Sequence, residues 1–291
     1  MKFSWNFLNK NEAAEEQTKD YTKMSQDQLL NEFQSSNWEK LDTDNRLELI
    51  QEMENRNAEM QGREPATVVS SSSLGSYGSY NNMSNQIRIN VSEFSSYETL
   101  DTYIHESNHA YQHACIENQT GYDQHMLDMM QAETARTEEG QLYNYARMSP
   151  QYDMQCNELD SNNKAAAYLM AQSERYGNDP AYREYIAERY THFQDVNTAL
   201  SLNENARNTM QTNQANEAFA RGDISEEQKN GLTENIQNEN YEDAAVQGSY
   251  ATGEALEALH NEYTQEAENA AENDMDAGCD NDMGDDIGGM E

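Results

Sequence analysis

The chain is short of basic residues. It has 18 lysines and arginines against 54 aspartates and glutamates, so its formal net charge is −36 at pH 7. Proteins that bind nucleic acids or anionic membrane surfaces use positive charge to neutralise phosphate groups. The composition therefore argues against both of those functions. It is compatible with a highly soluble protein or with one that has basic protein partners.

The sequence also lacks long apolar runs. No segment reaches the roughly 20 apolar residues that span a bilayer, and residues 1–12 contain no apolar run of signal-peptide length. We therefore expect a chain that is cytoplasmic as synthesised, with signal-independent export left open. Apolar residues make up only 36% of the chain, which predicts that part of it is disordered. The acidic residues 266–291 are the predicted disordered tail.

Cysteine is scarce. The three cysteines are Cys115, Cys156 and Cys279, and no two of them form a C-x-x-C pair. This count excludes a disulfide framework and a structural zinc site built from cysteines. It is typical of a protein in a reducing compartment.

Against this background, one motif is conspicuous. The segment 99–113 contains His105-Glu106-Ser107-Asn108-His109, an H-E-x-x-H pattern. Residues four apart on a helix lie on the same face, so His105 and His109 should direct their imidazoles at one point. Glu106 follows His105 and can take a proton from a water held at that point. The pattern is typical of the zinc-binding helix of metallopeptidases.

The residues around the motif support a helix preceded by a strand. Ser95 and Glu98 form a capping box at the predicted start of the helix, and no glycine or proline follows until Gly121. Just before it, the segment 87–91 alternates apolar and polar residues, which predicts a half-buried strand. That strand could offer an edge to which an extended substrate adds.

A zinc site needs a third protein ligand, and Glu158 is the best candidate. It lies at the start of an alanine- and leucine-rich segment that predicts a second helix. His113 continues the histidine stripe, but eight residues of helix rise about 12 Å, too far to share one ion with His105. Cys115 is expected to be a small buried thiol. Asp160 is the reserve ligand.

The run Glu158-x-x-Ser161-Asn162-x-x-Ala165 resembles the glutamate helix of the gluzincins, and it is most similar to that of the bacterial ImmA/IrrE-type metallopeptidases. The resemblance covers roughly residues 86–172. It implies a Zn²⁺ ion bound by His105, His109 and Glu158, with Glu106 as the general base. It also implies that a residue such as Asn162 orients a zinc-bound histidine, with Asp101 as the alternative.

The sequence thus predicts an α+β fold that is mostly α, with a zincin-like core and a small β-sheet beside the H-E-x-x-H helix. We divide it into an N-terminal helical segment (1–62), a Ser/Gly/Tyr-rich linker (63–85), a metallopeptidase domain with a helical extension (86–265) and the tail (266–291).

Two functions are compatible with these features. The first is a zinc-dependent metallopeptidase that hydrolyses a peptide bond in a protein or peptide substrate, a regulatory protein if the resemblance extends that far. The second is a non-catalytic helical binding or scaffold protein with a chance or degenerate motif. The sequence does not choose an oxyanion-stabilising residue among the 18 tyrosines, His125 and His192. It gives no basis for an oligomeric state.

Overall fold

The computed structural model describes residues 19–71, 77–134, 150–238 and 243–279, without the side chains of 150–151 and 272–279. These residues are mostly helical, with one small three-stranded sheet. The predicted class, α+β and mostly α, is therefore confirmed at this level. None of the described helices is long and apolar enough to span a membrane.

The elements follow one another in chain order. A single 3₁₀ turn, Tyr21–Lys23, precedes them. The elements are α1 (Gln26–Asn31), α2 (Ser35–Trp38), α3 (Thr43–Gln61), β1 (Thr67–Ser70), β2 (Gly78–Asn81), β3 (Gln86–Ile89), α4 (Ser96–Asn118), α5 (Gln124–Thr134), α6 (Pro150–Asp153), α7 (Cys156–Met170), α8 (Ser173–Tyr176), α9 (Pro180–Leu202), α10 (Glu204–Arg221), α11 (Glu226–Gln237) and α12 (Ala244–Cys279).

Local sequence signals set many of the helix ends. Ser95 and Ser225 form capping boxes at the starts of α4 and α11, as their sequences predict. Pro180 occupies the first turn of α9, where its missing N–H costs nothing, and Asp179 caps that helix. Helix α3 ends at Gly62, which adopts a left-handed φ of 68° that suits glycine.

The sheet has the strand order β1-β3-β2. Strand β1 runs parallel to β3, and β2 runs antiparallel to it. The alternation predicted for this segment is present, because Ile87 and Ile89 are fully buried while Arg88 is exposed. However, β3 is the central strand and is paired on both sides. The prediction that it offers an edge to substrate is therefore wrong, and β2 and β1 are the outer strands.

The sheet also includes chain that was predicted to be a linker. Strands β1 and β2 both lie within 63–85 and pair with β3, so the described part of this segment is structural. At β2, strand pairing between segments distant in sequence overrides a loop-like composition, whereas the run Thr67-Val68-Val69 of β1 is itself typical of a strand. Residues 72–76, in the middle of the predicted linker, lie outside the described residues.

Two hydrophobic clusters form the core. The first is rich in aromatic residues and joins α1 and α3 to the sheet, α4, α7, α9 and α12. It thus unites the predicted N-terminal segment with the predicted metallopeptidase domain, although the domain boundaries themselves stay predictions. The second is rich in methionine and alanine and joins α5 and the start of α7 to α10 and α11. Helix α4 and helix α7 therefore meet inside a packed core.

The C-terminal helix is longer than predicted. The disordered tail was expected from residue 266, but α12 continues to Cys279, and residues 280–291 lie outside the described part of the chain. The prediction of disorder is wrong for 266–279. Alanine and glutamate have high helix propensity, and no proline interrupts the segment, so the helix continues beyond the residues that pack on the core.

Candidate metal centre

Helix α4 presents the two histidines of the H-E-x-x-H motif side by side. Its start is fixed by Ser95, whose side chain accepts a hydrogen bond from the backbone N–H of Glu98 while the Glu98 side chain accepts one from the Ser95 N–H. His105 and His109 lie one turn apart, and their Nε2 atoms are 3.0 Å from each other. Their side chains are 17% and 14% exposed, so the pair faces an accessible surface.

Helix α7 brings Glu158 to the same point. One carboxylate oxygen of Glu158 lies 3.3 Å from Nε2 of His105, and the other lies 3.5 Å from Nε2 of His109. The Glu158 side chain is almost fully buried. The three side chains form a group that can hold a metal ion. No other group of three such ligands in the described ranges comes as close together.

The geometry of this group fits a tetrahedral zinc site. Bonds of about 2.0–2.1 Å from zinc to nitrogen and oxygen ligands place any two ligands of a tetrahedron about 3.3 Å apart. The three observed separations of 3.0, 3.3 and 3.5 Å lie around that value. Two imidazole nitrogens and one carboxylate oxygen are also a common ligand set of catalytic zinc, which leaves a fourth position open.

His109 and Glu158 shift each other's pKa values. Burial by itself lowers the pKa of His109, but the charge of Glu158 and its hydrogen bond outweigh burial and raise that pKa to about 9. Burial likewise raises the pKa of Glu158, but the charge of His109 and hydrogen bonds from both histidines hold it well below its usual range. Without a metal, a proton on His109 therefore balances the Glu158 carboxylate.

Gln112 fixes the orientation of His109. Its side-chain Nε2 donates hydrogen bonds to the backbone carbonyl of Asn157 (2.9 Å) and to Asp160 (2.8 Å). Its Oε1 therefore faces Nδ1 of His109, 2.9 Å away, and can only accept a hydrogen bond there. A hydrogen on Nδ1 leaves the Nε2 lone pair directed at the candidate metal position. We did not identify Gln112 from the sequence, although its place one turn after His109 is a detectable signal.

Asp160 anchors this network. Its Oδ2 accepts hydrogen bonds from Asn108 (2.9 Å), from Gln112 (2.8 Å) and from Tyr122 (2.6 Å), and Lys164 lies 3.2 Å away. Asp160 is not part of the group whose ligand atoms converge, so the structure favours Glu158 over Asp160, the reserve ligand that the sequence suggested.

The two residues expected to orient a histidine lie in a different network. Asp101 accepts a hydrogen bond from the Tyr185 hydroxyl (3.0 Å) and lies 3.7 Å from Arg189. Asn162 accepts from the same Arg189 at 3.4 Å. Gln112 instead accepts the Nδ1 hydrogen of His109, so the expectation for Asn162 and Asp101 is corrected.

Glu106, the predicted general base, is buried against strand β2. A Cβ atom added at Gly78 would lie 2.5 Å from Cγ2 of Thr102 and 3.0 Å from Cγ of Glu106. The first distance is shorter than real Cβ atoms show and the second is very tight, so a side chain at position 78 would push Thr102 and Glu106 aside where β2 passes over α4. The residue after His105 is thus held between the helix and the outer strand of the sheet.

Glu133 of α5 caps the helix that carries Glu158. Its two carboxylate oxygens accept hydrogen bonds from the backbone N–H groups of Cys156 (2.8 Å) and Asn157 (2.9 Å). The N-cap residue Gln155 makes no side-chain cap of its own. Burial raises the pKa of Glu133 to about 8, although the two N–H groups act in the opposite direction. This contact spans more than twenty residues of sequence, and no local motif indicates it.

The sequence analysis also named His113, Cys115, His125 and His192, and none of them belongs to the group of three converging ligands. His113 is 3.7 Å from Glu117, one turn further along α4, and Cys115 is a buried free thiol, as predicted. His125 of α5 is hydrogen-bonded to Asn235 of α11, at 3.2 Å. Burial lowers the pKa of His192 to about 4, and the charge of Arg189 adds to the shift.

Comparisons of the chain with known proteins complete this description. No family model, no curated protein and no solved structure matched it. The geometry above therefore has to support any functional proposal by itself.

Proposed function

We propose that this protein is a zinc-dependent metallopeptidase that hydrolyses a peptide bond in a protein or peptide substrate. The observation that carries the proposal is the convergence of His105, His109 and Glu158 at separations close to the edges of a zinc tetrahedron. The neighbouring carboxylate of Glu106 supplies the general base that such a site needs. The resemblance of the glutamate helix to that of the gluzincins is consistent with it.

Each residue has a defined task in this reaction. His105, His109 and Glu158 would hold the ion, and a bound zinc ion would supply Lewis acidity that activates water and polarises the substrate carbonyl. Glu106 takes the proton of the attacking water and returns it to the leaving amine. Gln112 keeps His109 in the tautomer that can bind metal, because its amide accepts the Nδ1 hydrogen.

The sheet suggests how a substrate approaches these residues. Strand β2 is an outer strand, and it passes Glu106 at the backbone of Gly78. An extended peptide beside β2 would carry its backbone carbonyls along the side of α4 that bears the centre. Strand β2 would then offer the edge for an extended substrate that the sequence suggested for the segment 87–91.

The test is hydrolysis of a mixed fluorogenic peptide library by the zinc-loaded full chain. Glu106→Gln should retain zinc and lose about 10²–10⁴-fold in kcat/KM, because the amide accepts no proton. Glu117→Gln is the matched control, since it makes the same change on the same helix at an exposed carboxylate. The proposal is contradicted if Glu106→Gln cleaves as fast as the native chain, or if cleavage persists after complete removal of metal.

A further inference from the structure

A buried ion pair lies against the back of helix α4. Glu54 of α3 is fully buried, and the Arg63 side chain, just after α3, is 5% exposed. The two groups meet through two parallel contacts, Nη1 to Oε1 at 2.6 Å and Nη2 to Oε2 at 3.2 Å. Glu54 also accepts the backbone N–H of Ala66 beside β1, at 2.9 Å. This paired geometry is rigid and directional.

The ion pair is bonded to the middle of the H-E-x-x-H motif. Ser107 is fully buried, and its hydroxyl donates to Oε2 of Glu54 at 2.7 Å. The same hydroxyl accepts from Arg63 at 2.9 Å and from Asn57 at 2.8 Å. One donor and two acceptor positions are all that a hydroxyl has. Every one of them is therefore filled by residues of α3 or of the turn that follows it, namely Glu54, Asn57 and Arg63.

A contact at Ser107 can fix the rotation of α4 about its own axis. It lies two residues from both His105 and His109, so on a helix of 3.6 residues per turn it points away from both. A rotation of α4 by about 10° would move an atom ~6 Å from the helix axis by about 1 Å. Zinc sites tolerate deviations of only about 0.2 Å in bond length. Fixing Ser107 therefore fixes the two histidine nitrogens.

We propose that Glu54, Arg63 and Ser107 are positioning residues of the metal centre, which makes helix α3 part of it. A buried ion pair contributes little net stability compared with apolar residues of the same volume, and its best-attested role is to specify one arrangement. The inference rests on the metal binding that the proposed function requires. It goes beyond that function by assigning a role to residues that touch neither substrate nor metal.

The experiment compares two serines of the same helix in the full-length protein. Ser107→Ala removes the hydroxyl that reaches Glu54. Ser96→Ala removes an equally buried hydroxyl of α4, which has no hydrogen-bond partner among the described residues. Zinc affinity is measured by competition with a chromophoric chelator, under conditions in which circular dichroism shows each variant to be fully folded. The visible spectrum of the Co²⁺-loaded protein reports the ligand geometry.

We expect Ser107→Ala to bind zinc about 10–100-fold more weakly and to alter the Co²⁺ spectrum, as loss of a residue that supports metal ligands does. Ser96→Ala should keep native affinity and spectrum. Glu54→Gln should act in the same direction as Ser107→Ala, and it provides a second measurement if one variant does not fold.

Two results overturn the inference while leaving the proposed function intact. One is native zinc affinity together with a native Co²⁺ spectrum in Ser107→Ala. The other is an equal loss of affinity in Ser107→Ala and Ser96→Ala, which would indicate a general effect of removing a buried hydroxyl from α4. A native protein that takes up neither Zn²⁺ nor Co²⁺ would instead overturn the proposed function, and this inference with it.

Discussion

The two helices that meet at the centre are held in place in different ways. Helix α4 carries its own start signal, the reciprocal hydrogen bonds of Ser95 and Glu98. The N-cap residue of helix α7 makes no side-chain cap, and Glu133 from α5 supplies one across more than twenty residues. The start of α4 thus depends on a local signal, whereas the start of α7 depends on tertiary structure. The difference predicts that substitutions at the two caps have unequal effects.

The largest effect is expected at the cap of α7. Glu133→Ala removes the acceptor of two buried N–H groups and leaves a cavity, so it should lower the free energy of unfolding by about 3 kcal/mol. Glu133→Gln keeps the size of the side chain and one acceptor oxygen, but its NH₂ group faces the second N–H group. Urea unfolding should therefore show a smaller loss for the glutamine variant than for the alanine variant. Equal losses in both variants would contradict the capping role.

The contact between β2 and α4 should affect catalysis more than folding. Gly78→Ala places a methyl group against Thr102 and Glu106, which should displace the general base and lower kcat/KM by about 10–100-fold while zinc is retained. Gly231→Ala, where a methyl group meets open space on α11, is the matched control. Native activity in Gly78→Ala would show that β2 does not position Glu106.

The two helices also differ in whether a proton competes with the metal for their side chains. The pKa of His109 is raised to about 9 in the metal-free protein, whereas that of Glu158 is held below its usual range. The proton that the metal displaces therefore comes from α4, and zinc affinity should rise about tenfold per pH unit up to about pH 9. Competition titrations between pH 6 and 8 test this, and a flat profile would contradict it.

The raised pKa of His109 also makes the stability of the metal-free protein depend on pH. The pKa of His109 in the folded metal-free protein lies above its unfolded value of 6.5. The stabilisation that the His109–Glu158 pair provides should therefore be complete below pH 6.5 and be lost as the pH rises through 9. Thermal unfolding of the metal-free protein should show this loss, and the His109→Ala variant should not.

The smallest effect is expected at the cap of α4. Ser95→Ala removes one side of a capping box on an exposed helix start, which should cost about 1 kcal/mol of unfolding free energy. The 23-residue helix is held along its length by the sheet, α3 and α7, so its histidines should keep their positions. Chemical denaturation measures the loss. A loss as large as that of Glu133→Ala would remove the contrast between the two helices.

The parts of the fold that were predictable are those that short-range physics determines. The capping box of α4, the spacing of His105 and His109, and the start of α9 at Pro180 all follow from interactions over a few residues. The central position of β3 was missed, because strand order depends on pairing between distant segments. The extent of α12 was missed because an acidic composition was given more weight than helix propensity.

The residues of the candidate site also fall into two groups: those that a short sequence pattern indicates and those that act through long-range contacts. The two histidines and Glu106 follow from the period of one helix, and Glu158 was suggested by its sequence context and by resemblance. Gln112 could have been found, because it lies three residues after His109 on the same helix. Glu54, Arg63 and Glu133 could not, since each acts on the centre through a contact across 23 to 53 residues. Buried polar contacts of this length leave no periodic signal in a single sequence.

The central claim is that one ion is held jointly by α4 and α7, and metal content tests it most directly. Four purified proteins are incubated with zinc at pH 8, dialysed and analysed by plasma emission spectroscopy. They are the native protein and the variants His109→Ala, Glu158→Ala and His113→Ala. We expect about one zinc per chain in the native protein and in His113→Ala, and none in the other two variants. Native protein without zinc, or Glu158→Ala with a full equivalent, would contradict the account.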